Sequence, residues 1–247
     1  MGMKQNIMLL KNHNINYFIH SMAVSDYYVD YVTTASIIEN SIDKDNIKES
    51  IGTKQERTLH QYLKYYFCSE SVFHEQKLNG YIIDIFKDNQ ITEIQTSSFN
   101  TMRKKLETLL PNYSINIVYP IITERTIYNF DENGILQNTR KSPKKEHPLK
   151  IGKELYKINN LLNHPNLNFT LVLLKIYEER IPFINRYKQK KTTRIDQIPY
   201  ELVDIINLKT KDDFIKIIPF DSEFDANTFR KKIKLSPRDS SSALLAL

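Results

Sequence analysis

The chain has 247 residues and a mean hydropathy of −0.47, with 40% hydrophobic and 26% charged residues. This composition supports one sizeable domain, or a core domain with a small appendage, and no apolar run reaches the roughly 20 residues of a membrane span. Cys68 is the only cysteine, which excludes an internal disulfide and a zinc site built on thiolates and favours the reducing cytoplasm. The net charge of +6 is compatible with a polyanionic partner.

The first half of the chain predicts an α/β order of elements. We interpret residues 1–50 as an N-terminal extension without recognisable catalytic or binding motifs. Clear secondary-structure signals begin at Thr53-Lys54-Gln55-Glu56, which has the form of a helix capping box. Apolar spacing and turn residues then predict a helix over 54–67, strands over 71–77, 81–86 and 92–95, a helix from Ser97 or Ser98 to Leu110, and a strand over 115–119 closed by Pro120. This order of helix, three strands, helix and strand favours one layered α/β domain.

The second half of the sequence predicts the rest of this domain and then a region of short helices. The elements expected next are a hairpin over 126–138, a basic loop over 140–147, a helix over 153–162, a strand over 169–177 and a polar connector over 181–193. After Arg194 we expect short helices over 198–206, 210–218, 226–233 and 239–247, an arrangement typical of helix-turn-helix DNA readers. The predicted domains are an extension (1–50), a core (51–193) and a helix-turn-helix or winged-helix-like domain (194–247), whose apolar last residues suggest that it is incomplete.

Two carboxylates lie inside the apolar strands of the first predicted hairpin. Asp84 is in the run Tyr81–Phe86, and Glu93 is in the run Ile91–Ile94. An ionised carboxylate among apolar strand residues is costly unless a cation or hydrogen-bond donors meet it. With Gln95 on the same face two residues beyond Glu93, the pair is compatible with a cation site, and its oxygen ligands suit Mg²⁺ or Mn²⁺. The alternative is an ordinary hairpin whose polar residues face solvent.

The spacing of these residues resembles that of the PD-(D/E)xK nuclease superfamily. Asp84 is followed after eight residues by Glu93 and after one more by Gln95, with a predicted helix on each side of the hairpin. Further segments resemble a family of uncharacterised prokaryotic proteins that are similar to these nucleases and end in a winged-helix-like domain. The segments are Glu56–His60, Gly80–Ile85, Glu93–Phe99, Arg103–Leu110, Val118–Ile121, Arg140–Lys144 and Leu162–Leu167.

The resemblance implies a restriction-endonuclease-like core, in which helices flank a mixed sheet, and the function of a metal-dependent DNA endonuclease. Asp84 and Glu93 would be the ligands of Mg²⁺ or Mn²⁺, and Glu56, one turn into the preceding helix, would support them. Gln95 stands where the superfamily usually has lysine, and it would position the attacking water without supplying a positive charge. Double-stranded DNA is the expected partner, and cutting of both strands would suit a homodimer.

Basic residues supply the expected contacts to phosphate. Basic runs recur at Arg103–Lys105, Arg140–Lys145, Arg186–Lys191 and Arg230–Lys234. Lys104 or Lys105, on the helix after Gln95, could replace the missing lysine, and the alternative is a solvated helix face. The residues expected to contact nucleic acid are Lys104, Lys105, Arg140, Lys144, Lys145, Arg230 and Arg238. A second hypothesis is a non-catalytic DNA-binding or regulatory protein built on a degenerate nuclease core.

Overall fold

The computed structural model describes residues 58–246, except residues 185 and 221. Within this range the chain divides into two compact units. Unit 1 contains residues 58–69, 126–141 and 176–201, and unit 2 contains residues 70–125, 142–175 and 202–246. No helix of the described range is long and apolar enough to cross a membrane.

In the described part of the chain, groups of two or three strands are separated by helices, and three helices follow the last strand. The strands are β1 (His74–Leu78), β2 (Tyr81–Lys87), β3 (Gln90–Ile94), β4 (Ser114–Phe130), β5 (Leu136–Lys141), β6 (Leu167–Ile184) and β7 (Lys190–Leu208). The α-helices are α1 (Thr58–Phe67), α2 (Arg103–Leu109), α3 (Gly152–Leu155), α4 (Lys211–Lys216), α5 (Ala226–Ile233) and α6 (Pro237–Ala246). Short 3₁₀ turns precede β1 and α2, at Ser71–Phe73 and Phe99–Met102, and flank α3, at Pro148–Ile151 and Tyr156–Leu161.

The strands form a mixed sheet in the order β1-β2-β3-β4-β6-β7, with β5 paired to β4. Strand β2 pairs antiparallel with β1 on one side and with β3 on the other, whereas β3 and β4 pair parallel. A parallel pair requires a crossover connection, and α2 lies in the connection between β3 and β4. The predicted mixed α/β class, with a sheet flanked by helices, is therefore confirmed.

The core of unit 2 explains why α2 forms where the apolar spacing predicted a helix. Met102, Leu106 and Leu109 recur at helical spacing and are buried in a cluster that also contains the sheet residues Ile83 and Ile117. Their burial supplies the main stabilisation of this short helix, because an isolated helix of seven residues has little stability of its own. The same packing fixes which side of α2 faces the sheet.

Unit 1 contains α1, the β4–β5 hairpin, and the parts of β6 and β7 that lie closest to their connection. The helix α1 confirms the predicted helix over its described residues, and the β4–β5 hairpin confirms the predicted hairpin. Tyr177 on β6 and Tyr200 on β7 stack with their ring centroids 4.4 Å apart. The buried Glu178 carboxylate meets the Arg180 guanidinium at 2.6 Å, so its charge is paired.

Three predicted element types are wrong, and all lie in the long strands. Residues 198–206 belong to β7 instead of forming a helix, the connector predicted over 181–193 consists largely of the ends of β6 and β7, and Pro120 lies inside β4. The segment Ile198–Ile206 is rich in β-branched and aromatic residues and contains Pro199, which disfavours a helix interior. Pairing of β7 with β6 decides the outcome.

The three helices predicted beyond residue 209 are confirmed as α4, α5 and α6. Thr210 and Asp213 form a capping box at the start of α4, and Asp225 caps α5. Phe229 and Ala243 from these helices share a buried cluster with Leu149. The division at residue 194 and the winged-helix-like arrangement stay predictions.

The close packing of α6 on α3 gives a testable prediction at Gly152. A Cβ at Gly152 would lie 2.7 Å from Ala243 Cβ and 2.8 Å from Ala243 Cα, so either the helix or its neighbour must move. We expect Gly152→Ala to lower the free energy of unfolding by about 1–3 kcal/mol, although alanine is otherwise the better helix former. Urea unfolding measures the change. The Gly152→Ala/Ala243→Gly variant should recover part of it, and an unchanged midpoint in Gly152→Ala would contradict this packing.

Candidate active site

The β2–β3 hairpin brings the two predicted carboxylates face to face. Its turn contains Asp88 and Asn89 with φ of 50° and 59°, a pair of left-handed residues that gives the tight turn favoured between antiparallel strands. The register pairs Ile85 with Thr92, and the same register one residue further sets Asp84 opposite Glu93. Directly opposed residues of an antiparallel pair lie on the same side of the sheet. The hairpin geometry predicted for these carboxylates is thus present.

A lysine from α2 joins this pair. Lys105 Nζ lies 2.6 Å from Glu93 Oε1, and both side chains are largely buried. The contact is an ion pair without the alignment of a directed hydrogen bond, and the ammonium also donates to Ile82 O at 2.5 Å. On the neighbouring strand, Asp84 Oδ2 accepts a hydrogen bond from Ile94 N at 2.8 Å. Two carboxylates and one ammonium from three elements therefore meet at one place in unit 2.

The electrostatics of Glu93 favour the protonated acid. Burial raises the pKa of the Glu93 carboxyl to about 7, and the nearby Asp84 carboxylate contributes to the increase. The Lys105 ammonium acts in the opposite direction but does not cancel the cost of burial. Another cation beside this carboxyl would favour its ionised form, so proton release should accompany binding of a metal ion here.

The donor set fits a magnesium or manganese ion. Mg²⁺ usually keeps several water ligands and binds through one or two carboxylates together with phosphate oxygens of a substrate. Asp84 and Glu93 offer two carboxylates on adjacent strands. In the described part of the chain, no group of three or more His, Cys, Asp or Glu residues could hold a metal. Among the described residues, Asp84 and Glu93 are thus the side chains that this hairpin offers to such an ion.

The other predicted members of the site are placed differently. Gln95 lies one residue beyond β3, where its backbone N–H donates to Val118 O at 2.9 Å and its side-chain amide donates to Ser97 O. The side-chain amide of Gln95 is therefore bound to Ser97, and the cation in contact with Glu93 is Lys105. Lys104 is exposed on the same helix, and Glu56 lies outside the described residues. Of the two lysines offered by the sequence, Lys105 is the one at the carboxylates.

The α2 segment that carries Lys105 is anchored by Glu154, a residue that the sequence interpretation missed. Glu154 is 2% exposed, and its Oε2 accepts from Phe99 N at 3.1 Å and from Lys157 Nζ at 2.7 Å. Arg103 at the start of α2 donates to Lys157 O. The only available signal was an acidic residue beside Lys153 in a short stretch that begins with Ile151 and ends with Leu155. Glu154 thus ties α3 to the turn that begins the α2 segment.

Removal of the Glu154 carboxylate should weaken this tie. We expect Glu154→Ala to lower the free energy of unfolding by about 2 kcal/mol, because it leaves Phe99 N–H without its buried acceptor. Chemical unfolding followed by circular dichroism measures the effect. Glu107→Ala removes an exposed carboxylate from α2 and serves as the control, with an expected change of about 0.5 kcal/mol or less. Equal effects in the two variants would show that Glu154 is not an anchor.

The predicted phosphate-contacting residues are distributed over both units. Lys144, Lys145 and Arg238 are exposed in unit 2, Arg230 is half-buried on α5, and Arg140 is exposed on β5 of unit 1. The segment after this loop packs on helix α5, since Leu149 and Phe229 share a buried cluster, and burial together with Lys232 lowers the pKa of His147. Glu146 in this loop is paired with Lys150 at 2.7 Å. Unit 2 thus has a basic region whose charge is partly neutralised.

Comparison with known proteins places the carboxylates and Lys105 within a matched region. Residues 57–209 match the family described as "Domain of unknown function (DUF8091)". An uncharacterized protein of Treponema pallidum (strain Nichols) is 34% identical over 126 residues, which are 51% of this chain and 50% of that protein. The match thus spans about half the length of this relative. No solved structure matches the chain.

Proposed function

The chain belongs to the family described as "Domain of unknown function (DUF8091)", and we propose that it is a metal-dependent nuclease that hydrolyses phosphodiester bonds of DNA. The observation that carries this proposal is the contact of 2.6 Å between Lys105 Nζ and Glu93 Oε1, with Asp84 opposite Glu93 on the next strand. Two carboxylates and a lysine are the groups that the PD-(D/E)xK resemblance implies. Here the lysine comes from α2 and not from position 95.

Each member of the cluster has a distinct part in this function. Asp84 and Glu93 would hold the Mg²⁺ or Mn²⁺ ion through their carboxylate oxygens. The bound ion would lower the pKa of the attacking water and offset the charge that builds on the phosphate. Lys105 places a positive charge where a phosphate oxygen gains negative charge, a role that requires the cation to be fixed before reaction. Its two contacts, to Glu93 and Ile82 O, fix the ammonium in this way.

The remaining parts of the proposal extend the site to the substrate. Gln95, the uncharged residue directly after β3, would position the attacking water, and Glu56 keeps the supporting role that the resemblance implies. The core is of the restriction-endonuclease type, with a winged-helix-like region after it, and the substrate is double-stranded DNA cut by a homodimer. The residues that contact its phosphates are Lys104, Arg140, Lys144, Lys145, Arg230 and Arg238.

Cleavage of DNA by the purified chain tests the proposal. Supercoiled plasmid and single-stranded DNA are incubated with Mg²⁺, with Mn²⁺ or with a chelator, and we expect cleavage only with a divalent ion. The Asp84→Asn/Glu93→Gln double variant, purified in parallel, controls for contaminating nucleases. Cleavage by this double variant at the wild-type rate, or an absence of cleavage under every condition, would contradict the proposal.

A non-catalytic DNA-binding protein is the second candidate, and the same ion pair favours it. The Lys105 ammonium already lies 2.6 Å from Glu93 Oε1, so this carboxyl group has a cationic partner without a metal. Calorimetric titration with Mn²⁺ separates the candidates. A nuclease should bind the ion through Asp84 and Glu93, whereas binding of DNA without uptake of metal and without cleavage supports the second function.

A further inference from the structure

The end of the β6–β7 hairpin is rich in positively charged residues. In the sequence, it lies far from the carboxylate cluster of Asp84 and Glu93. We define the hairpin end as the described residues 180–184 and 186–195, which contain six Lys and Arg residues and no Asp or Glu. The strands β6 and β7 are neighbours in the sheet and are joined by residues 185–189. A connection this short is compatible only with an antiparallel hairpin. The hairpin end is thus a two-stranded ribbon in unit 1.

Most charged side chains of the hairpin end are exposed, and one of them lies against an aromatic ring. Arg186, Lys188 and Lys191 are exposed, and Tyr187 is 66% exposed. The Arg186 guanidinium lies 4.7 Å from the centroid of the Tyr187 ring and donates to its hydroxyl at 2.6 Å. Arg180 differs, because it is paired with the buried Glu178. The outer part of the ribbon therefore presents cations beside a planar aromatic group.

We propose that the hairpin end is a contact surface for nucleic acid. Two-stranded ribbons are narrow enough to follow a groove, and exposed lysine and arginine side chains bind backbone phosphates with little dependence on sequence. The Tyr187 ring, with Arg186 stacked on it, offers a face on which an unpaired base can stack. This surface goes beyond the proposed nuclease centre, because it needs neither the carboxylates nor a metal ion.

The distribution of apolar groups favours nucleic acid over a membrane surface. The exposed apolar residues Phe183 and Ile184 lie at the end of β6, whereas residues 186–194 contain Tyr187 but no aliphatic side chain larger than threonine apart from the lysine and arginine stems. A loop that inserts into lipid would carry its apolar groups at its apex. The apex here carries the cations.

The cations of the hairpin end differ in their surroundings. Lys190 lines a shallow depression together with Asp131 and Glu132 of the β4–β5 turn, so acidic residues lie near it. Arg186 and Lys188 are exposed on the connection between the strands, and Lys191 is exposed at the start of β7. These three residues are therefore the ones to replace. Their combined replacement by alanine removes charge while it leaves the paired strands of the sheet in place.

Fluorescence anisotropy of the full chain with labelled single-stranded and duplex DNA tests this surface, with a chelator present to prevent cleavage. We expect Arg186→Ala/Lys188→Ala/Lys191→Ala to weaken binding at least about tenfold and to lower the slope of log K against log salt by about 2–3. A matched variant removes the same charge from exposed lysines elsewhere and should bind like wild type. Its substitutions are Lys77→Ala, Lys209→Ala and Lys211→Ala.

Three outcomes would overturn the hairpin surface. They are unchanged binding in the hairpin variant, equal weakening in the matched variant, and binding to phosphatidylserine vesicles without binding to DNA. The Asp84→Asn/Glu93→Gln variant keeps the hairpin and should still bind DNA in this assay. Loss of cleavage with retained binding in the Asp84→Asn/Glu93→Gln variant therefore tests the nuclease centre. Loss of binding in the hairpin variant tests the contact surface on the hairpin end.

Discussion

Replacement of Asp84 by asparagine, or of Lys105 by methionine, is expected to reduce the rate of metal-dependent DNA cleavage by about 10²–10³-fold. The asparagine would keep the shape of the Asp84 side chain but lose the charge that holds a cation. The methionine would keep an aliphatic stem but lose the Lys105 ammonium, which lies 2.6 Å from Glu93. Single-turnover rates on plasmid DNA at saturating Mg²⁺ measure both effects, because they separate the chemical step from product release.

The neighbouring lysine gives a matched control for Lys105. Lys104 is exposed and lies one position earlier on α2, so Lys104→Met removes the same charge from the same helix. We expect its single-turnover rate to stay within a few-fold of wild type, with a weaker affinity for DNA at most. Lys105→Arg keeps the charge and should retain part of the activity. Equal losses in Lys104→Met and Lys105→Met would mean that net charge, and not the contact with Glu93, sets the rate.

Glu93→Gln is expected to change how stability depends on pH. The pKa of Glu93 is raised from 4.5 to about 7 in the folded chain. Between these values the folded state keeps a proton that the unfolded state has lost, so Glu93 contributes stability at low pH that is lost as the pH rises towards 7. The full shift corresponds to about 3 kcal/mol. Glutamine cannot ionise, and Glu93→Gln should remove this part of the decrease.

Urea unfolding at several pH values, without divalent ions, measures the loss. The readout is the slope of the unfolding free energy against pH, since the substitution also changes the contact of the carboxylate with Lys105. Glu107→Gln, an exposed change on α2, should show the wild-type slope. Added Mg²⁺ should restore stability at neutral pH in wild type but not in Glu93→Gln, because only a bound ion stabilises the folded state. A Glu93→Gln slope equal to that of wild type would contradict the raised pKa.

Local signals made the carboxylate pair predictable. The polar turn between two apolar runs predicted the β2–β3 hairpin, and a hairpin sets the register of its strands without help from the rest of the chain. Asp84 and Glu93 could therefore be placed together from the sequence. The choice between Lys104 and Lys105 could not be made, because it depends on how α2 is rotated on the sheet. Neighbouring helical residues point about 100° apart, and the packing of Leu106 and Leu109 in the core of unit 2 sets that rotation.

Distant contacts account for what the sequence did not predict. Residues 198–206 form part of β7 because β6 lies beside them, and their apolar spacing also fits a helix. Glu154 was missed for a similar reason, since its partner Phe99 N–H lies 55 positions away in the chain. A single acidic residue beside a lysine looks like a solvent-exposed charge, and it does not reveal a buried partner before the fold is known.

The anchor at Glu154 also has a kinetic consequence. Asp84 and Glu93 meet through a local hairpin, which forms within microseconds, whereas the α2 segment is fixed by a contact between residues 55 positions apart. Contacts of large sequence separation form late, because the loop must close before they stabilise anything. We therefore expect the acidic pair to assemble early in folding and Lys105 to join it later. Pulse-labelled hydrogen exchange should show the Phe99 amide protected after the amides of β2 and β3.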